Sequence, residues 1–239
     1  NIGVVDELHK ESNIPCITSS MNNTRVRRLL TYRFWKRLLD RVVALFAIVI
    51  ISPLLTLIAI AIKLDTPGYI IFSQERVGEG RRQFILYKFR SMHVNHDDSN
   101  YREFIRKYMT ENFYGRTDEN GQDIFQLIKD PRVTRVGAVL RKTNLDELPQ
   151  LFNVLKGEMS FIGPRPDIPF SVAMYHPHHF IRFDITPGIT GLWQISGRKN
   201  LSFEEQFRLD SEYIKKQSLF LDIKIFFLTI GAILGKHPS

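Results

Sequence analysis

Between Arg41 and Lys63 the chain runs for 21 residues without a charge, VVALFAIVIISPLLTLIAIAI over 42–62. As a helix rising ~1.5 Å per residue, this run reaches ~30 Å, the thickness of a bilayer's hydrocarbon layer. The alternative is a buried helix in a soluble core, but such helices ordinarily keep a polar face and this run has none. Ser52-Pro53 sits in its middle. Proline removes a backbone donor and clashes with the preceding turn, so a break is expected there. One outcome is a bent crossing; the other is a helix–break–helix that enters and leaves by the same face. Arg33, Lys36, Arg37 and Arg41 precede the run and Lys63 follows it. The cytoplasmic preference of basic flanks wants both ends on one side, which only the re-entrant form provides. The Ser52 hydroxyl is the candidate partner for the carbonyl that Pro53 frees.

The rest of the composition narrows the partners. Lysine and arginine number 33 against 25 acidic residues, a net charge of +8. That balance favours anionic partners: lipid headgroups, nucleotides or nucleic acid. The apolar run argues against nucleic acid. Cys16 is the only cysteine, which excludes an intrachain disulfide and a cysteine-based zinc cluster and fits a reducing compartment. No secretory signal is visible at the start. Residues 1–31 are polar and without apolar periodicity, and read as a tail or the remnant of an upstream segment. The expected division is therefore 1–31, a membrane segment over 32–63, and the remaining domain over 64–239.

Asp65-Thr66-Pro67-Gly68 signals a turn. Residues 69–72 and 84–90 read as two short strands that can pair as a hairpin. Lys88 and Arg90 share one face of the second by the two-residue period. His93, His96, Asp97 and Asp98 read as a solvated loop rather than a metal cluster. His176, His178 and His179 lack the i, i+4 spacing of a helical metal pair and are expected at the surface. Residues 185–198, ITPGITGLWQISGR, are glycine-rich, as in a strand and loop held close to a ligand or another backbone. Residues 203–216 form an amphipathic charged helix. Residues 219–234 are apolar but carry Asp222 and Lys224, which suits an interfacial helix or a docked terminal one. The fold class is α+β and helix-rich: a monotopic membrane-associated domain with a Ser-Pro-broken re-entrant helix, a small hairpin and interfacial amphipathic helices.

The chemistry concentrates in residues 141–167, RKTNLDELPQLFNVLKGEMSFIGPRPD. Asp146 and Glu147 stand side by side, with Arg141 and Lys142 before them and Arg165 after. Carboxylate oxygens suit Mg²⁺ together with substrate phosphates, and a carboxylate can act as a nucleophile. The competing reading is structural. Asn144-x-x-Glu147 matches a capping box, with Leu148, Leu151, Phe152 and Leu155 as the apolar stripe of the helix it would start.

An ordered series of motifs resembles the bacterial sugar transferase family, the monotopic polyprenyl-phosphate phosphoglycosyl transferases. It comprises Ser52-Pro53, Gln74-Glu75-Arg76-Val77-Gly78, Lys88-Phe89-Arg90-Ser91-Met92 and Asp130-Pro131-Arg132. It continues through Leu145-Asp146-Glu147-Leu148-Pro149-Gln150-Leu151, Asn153-Val154-Leu155-Lys156-Gly157, Gly163-Pro164-Arg165-Pro166, Pro187-Gly188-Ile189-Thr190-Gly191-Leu192-Trp193-Gln194 and Ser196-Gly197-Arg198. The series extends from about Tyr32 to the C-terminus. Asn144, where serine is usual, and Glu158, where aspartate is common, are small departures.

The resemblance implies transfer of a sugar-1-phosphate from a UDP-sugar to polyprenyl phosphate, usually undecaprenyl phosphate, with release of UMP. This would be the first membrane step of surface-glycan assembly. It makes Asp146 the nucleophile, through a phosphosugar–aspartyl intermediate, and Glu147 the ligand of Mg²⁺. Arg165 and Arg198 match phosphate-contacting positions. Lys88 and Arg90 lie in the motif associated with the donor side, and Arg141 joins them among the substrate-binding positions. Anionic lipid is a further partner, nucleic acid is not, and a homodimer is allowed for. The implied location is the cytoplasmic face of the bacterial inner membrane. Which sugar moves is not legible in the motifs.

Overall fold

A computed structural model describes residues 23–94, 99–111, 132–196 and 201–233. The expectations for residues 1–22, for His96-Asp97-Asp98, for Asp130-Pro131 and for Arg198 lie outside these residues.

Helix α1, Asn23–Asp65, carries the apolar run and is continuous through Ser52-Pro53. The expected break does not interrupt it. Pro53 cannot donate to Val49 O, but the Ser52 hydroxyl does so at 2.8 Å, and Thr56 Oγ1 donates to Ser52 O at 2.9 Å. The freed carbonyl thus finds its donor within the same turn. Only 11% of the helix's most apolar stretch is buried, whereas a soluble core helix would be mostly covered. Both flanks of the apolar run touch the rest of the protein. Ala44 packs with Leu86, Val154 and Met159, while Ile58 and Ile62 pack with Phe89 and Leu140. Between these contacts Leu45, Phe46, Val49 and Ile50 are exposed, Ile50 at 75%.

Strands β1, Ile71–Val77, and β2, Gln83–Phe89, form the expected hairpin, antiparallel from Ile71↔Phe89 to Val77↔Gln83. The first strand runs further than its apolar residues indicated. Its polar half, Gln74-Glu75-Arg76, is held by cross-strand pairing with Leu86, Ile85 and Phe84. Helix α2 spans Ser99–Glu111 and α3 spans Arg135–Thr143. Thr134 caps α3 by accepting from Gly137 N at 2.9 Å. Gly137 lies directly on the Ser91 backbone, where a Cβ would fall 2.1 Å from Ser91 O. A single 3₁₀ turn, Leu145–Glu147, leads into α4, Gln150–Lys156, which starts just after Pro149.

Asn153 joins α4 to β2. Fully buried, its side-chain Nδ2 donates to Ile85 O at 2.7 Å and its Oδ1 accepts from Tyr87 N at 3.1 Å. The amide thus plays the part of a neighbouring strand along the partly covered edge of β2. Nδ2 also reaches Glu158 at 2.7 Å.

Strand β3, Ser160–Ile162, pairs in parallel with β4, Gly188–Thr190, with the short helix α5, Pro169–Val172, and a 3₁₀ segment, Pro177–Asp184, between them. The glycine-rich stretch meets another backbone here: a Cβ on Gly188 would fall 2.1 Å from Gly163 N. Helix α6, Leu192–Ser196, is followed by α7, Phe203–Lys216, whose Ser202 and Glu205 form a reciprocal capping box, and by α8, Leu219–Ile233. Both readings of the last helix meet in α8. Asp222 turns inward, accepting from Tyr32 at 2.5 Å, Lys36 at 2.8 Å and Tyr213 at 2.7 Å. Phe220, Ile223, Phe227 and Ile230 face outward, Phe220 at 79% exposure.

Replacing Asn153 with alanine removes these partners from Ile85 O and Tyr87 N, which are partly shielded from water. The expected loss is about 1–3 kcal/mol, read as a lowered unfolding midpoint in detergent.

Candidate active site

The carboxylate pair sits on the 3₁₀ turn after α3, so both acids are displayed at a chain reversal rather than along a helix face. Asn144 ends α3 in the left-handed region (φ 56°), and its side chain makes no cap hydrogen bond. The capping-box reading is therefore corrected: Glu147 reaches across the domain instead of back to Asn144. Its Oε1 accepts from Lys88 Nζ at 2.8 Å and from Arg165 Nη2 at 2.5 Å, and its Oε2 accepts from Arg165 Nη1 at 3.4 Å. Lys88 comes from β2, and Arg165 from the loop after β3. Three distant segments thus converge on one carboxylate.

The charges follow this arrangement. Burial alone would raise Glu147, but Arg165 and then Lys88 overcome it and hold the carboxyl well below the usual range. Burial depresses Lys88, with Glu147 pulling the other way. Asp146 is raised, first by burial and then by the charge of Glu147, against the lowering pull of Lys88, Arg165 and Arg141. No side-chain hydrogen bond to Asp146 is made among the described residues, and Asp146 lines an open cleft of about 240 Å³ together with Lys88, Arg141, Arg76 and Arg132. It is therefore a half-buried carboxylate, surrounded by positive charge and facing open space. That is the arrangement a nucleophile toward an anionic substrate needs.

The pair also fits a hard divalent cation. Both groups offer carboxylate oxygens, and Glu147 Oε2 carries only the 3.4 Å contact, which leaves it acceptor capacity.

The sequence-expected residues separate here. Asp146, Glu147, Lys88, Arg141 and Arg165 come together. Arg90, read as a donor-side contact, lines the same cleft as Asp146, with most of its side chain buried against the end of α1. It donates to Pro67 O at 2.5 Å, Thr66 O at 2.6 Å, Thr66 Oγ1 at 2.8 Å and Ile62 O at 3.3 Å. Its guanidinium closes the last turn of the membrane helix, where carbonyls lack intrahelical donors. Of the three histidines, His176 and His178 are exposed as expected, but His179 is 1% exposed. His178, His179 and Glu204 approach closely enough to resemble a metal triad. The tautomer argues otherwise. His179 Nδ1 accepts from His176 N at 3.1 Å, so the neutral ring carries its proton on Nε2 and donates to Glu204 at 2.9 Å. Burial lowers the His179 pKa and keeps it in that form.

A buried network behind Arg165 was missed in the sequence. Arg182 donates to Asp167 at 2.8 Å and also to Tyr175 and Asp210, and Tyr175 donates to Asp167. Asp167 O accepts from Val77 N at 2.9 Å, and Pro166 O accepts from Arg76 at 3.2 Å. The Pro164-Arg165-Pro166 loop is thereby fastened to the hairpin. The only sequence signal was the joint presence of Gln-Glu-Arg-Val-Gly and Gly-Pro-Arg-Pro; their contact was not readable from either.

Because the Glu147 pKa is depressed, its stabilising contribution is complete above the ordinary value of 4.5 and is lost as pH falls toward the depressed value. The stability advantage of the parent over Glu147→Gln should therefore be largest near neutrality and shrink below about pH 4.5, in unfolding midpoints measured from pH 7 to 3.

The sequence model of the family described as bacterial sugar transferase matches residues 31–236. A UDP-galactose-lipid carrier transferase of Erwinia amylovora is 43% identical over 207 residues, covering 87% of this chain and 42% of that protein. An undecaprenyl-phosphate galactose phosphotransferase of Salmonella typhimurium is 39% identical, over 87% of this chain and 42% of its own length. The exopolysaccharide production protein ExoY of Rhizobium meliloti is 39% identical, over 85% of this chain and 87% of its own. The chain thus spans less than half of the first two relatives and most of the third. With the match running from the first turns of the membrane helix to the last helix, this chain belongs to the bacterial sugar transferase family.

Proposed function

We propose that this chain is the catalytic unit of a phosphoglycosyl transferase that moves a sugar-1-phosphate from a UDP-sugar to polyprenyl phosphate. The observation that carries this reading is Asp146, a cleft-lining carboxylate without a hydrogen-bonded partner among the described residues, beside Glu147 held by Lys88 and Arg165. The names of the relatives, a lipid carrier transferase and an undecaprenyl-phosphate phosphotransferase, support the substrate classes.

Asp146 attacks the sugar-bearing phosphorus of the donor. An aspartyl O–P bond forms, the bond to the UMP oxygen breaks, and UMP leaves with that oxygen. A phosphate oxygen of the acceptor then attacks the same phosphorus. The aspartyl O–P bond breaks, Asp146 returns as a carboxylate, and a polyprenyl-diphosphate sugar is formed. Phosphoryl transfer of this kind depends on positioning and charge stabilisation more than on covalent chemistry. Arg165 presents a planar fork suited to phosphate oxygens, and an arriving diphosphate competes with Glu147 for it. Arg141 lines the other side of Asp146. Glu147 is the residue placed to hold Mg²⁺, which would supply charge neutralisation on the diphosphate. Burial around Asp146 raises its basicity and so its nucleophilicity.

The membrane arrangement belongs to the same proposal. Residues 42–62 are read as entering and leaving by one face without the expected interruption of the helix, with both flanks docked on one catalytic body at the cytoplasmic face of the inner membrane. The support is that Ala44 and Ile62 pack into the same domain while Ile50 between them is bare. The outward apolar stripe of α8 would lie in the interface.

Two experiments test these points. Mixing the protein with a UDP-sugar and Mg²⁺ should release UMP and add a phosphosugar mass to the Asp146 peptide. Asp146→Asn should lose both, and Arg165→Ala should slow turnover by roughly 100-fold or more; parent-like turnover of Asp146→Asn would refute the mechanism. For topology, single cysteines at Thr31 and Pro67 in intact cells should react with impermeant reagent to the same extent. Opposite labelling would mean a full crossing.

A further inference from the structure

Arg165 stands between Pro164 and Pro166, and that setting ties its position to whatever holds the loop. Pro164 has a fixed φ, and Pro166 confines the Arg165 backbone to the extended region. The loop therefore has few soft torsions, and a displacement at either end is carried to Arg165 rather than absorbed. Its entry is tied to β4, where Gly188 N donates to Pro164 O at 2.9 Å. Its exit is tied through Asp167, whose carbonyl accepts from Val77 N at 2.9 Å and whose carboxylate accepts from Arg182 Nη1 at 2.8 Å. Behind the loop, between Val77, Arg182 and the two prolines, lies a void of about 10 Å³. Close packing does not back the loop there, so its polar ties set where it sits.

Arg182 is the centre of those ties. It is 6% exposed and donates to three segments at once: to Asp167, to Tyr175 after α5, and through Nη2 to Asp210 in α7. Helix α7 adds a second contact, since the guanidinium carbon lies 5.5 Å from the centre of the Phe207 ring. A buried arginine among carboxylates adds little net stability, because desolvation offsets the attraction; what it supplies is a fixed geometry.

We infer that Arg182 is a positioning residue for the transfer step: anchored by Asp210 on α7 and by Tyr175, it holds Asp167 and with it the loop that aims Arg165 at the phosphate. The inference rests on the transferase reading and gives a part in it to α7, none of whose described residues lines the cleft. A displacement of about 1 Å in a group that contacts the reacting centre can cost roughly 100-fold in rate, so a partly loosened loop should cost about tenfold.

A double-mutant cycle tests this on the full chain in lipid nanodiscs, with UDP-sugar, Mg²⁺ and undecaprenyl phosphate, by timing UMP release. Tyr175→Phe removes one hydroxyl from the network, and Asp210→Asn removes one charge at nearly constant shape. Each should lower kcat about tenfold when Arg165 is present. In an Arg165→Ala background the same substitutions should change kcat by less than about twofold, because the group they act through is gone. A substitution that only weakens the fold lowers turnover by the same factor in both backgrounds. Such equal losses would overturn the inference, and so would parent-like turnover of both variants with Arg165 in place. Unfolding midpoints of each variant set an assay temperature at which all are folded; if Asp210→Asn does not fold, the Tyr175→Phe cycle decides alone. Absence of UMP release by the parent would instead remove the transferase reading on which the inference stands.

Discussion

The contact on which the rest of the site depends is the three-way meeting of Glu147 with Lys88 and Arg165. Each partner comes from a different part of the chain: a hairpin strand, a 3₁₀ turn and the loop after β3. A partly buried carboxylate needs compensation, and here the compensation is also the means by which three segments are registered. Its second effect is electrostatic. The cations gathered for Glu147 also surround Asp146, so one arrangement both steadies the turn and prepares the neighbouring acid for an anionic substrate.

Behind this cluster the framework repeats the tactic with other residues. Arg182 is buried among Asp167, Tyr175 and Asp210, and Asp167 is the residue immediately after the Pro164-Arg165-Pro166 loop. Asn153 performs the neutral version, bonding along β2 from a helix. In each case a polar side chain replaces the regular partner that a short, irregular fold lacks. Among the described residues the two sheets have only two strands each, so strand ladders alone cannot satisfy the interior.

What the sequence made legible were the features governed by neighbours in the chain. The uncharged run, the hairpin turn, the amphipathic α7 and the Ser52 hydroxyl at Val49 O all follow from spacing within a few residues. The Asp146–Glu147 pair and Arg165 were legible as a set through the motif series. The partners that decide roles were not. Arg90 and Lys88 alternate identically along β2, yet one ends on the carbonyls of α1 and the other on Glu147, because the elements they meet are far apart in sequence. His179 is buried beside the exposed His178 for the same reason: Glu204, 25 residues on, accepts its hydrogen bond. Asn144 matched a helix start but serves as a helix end, since its left-handed backbone is set by the reversal that follows α3.

Asp222 is the one carboxylate in the described part of α8, and it faces Tyr32, Lys36 and Tyr213. Turning α8 about its axis by a quarter would carry that charge toward the side where Phe220 and Phe227 stand, into hydrocarbon if that side meets lipid. The cost of such a move makes the residue a rotational key. It selects which greasy stripe looks outward and couples the tilt of the closing helix to the amino-terminal turns of the opening one.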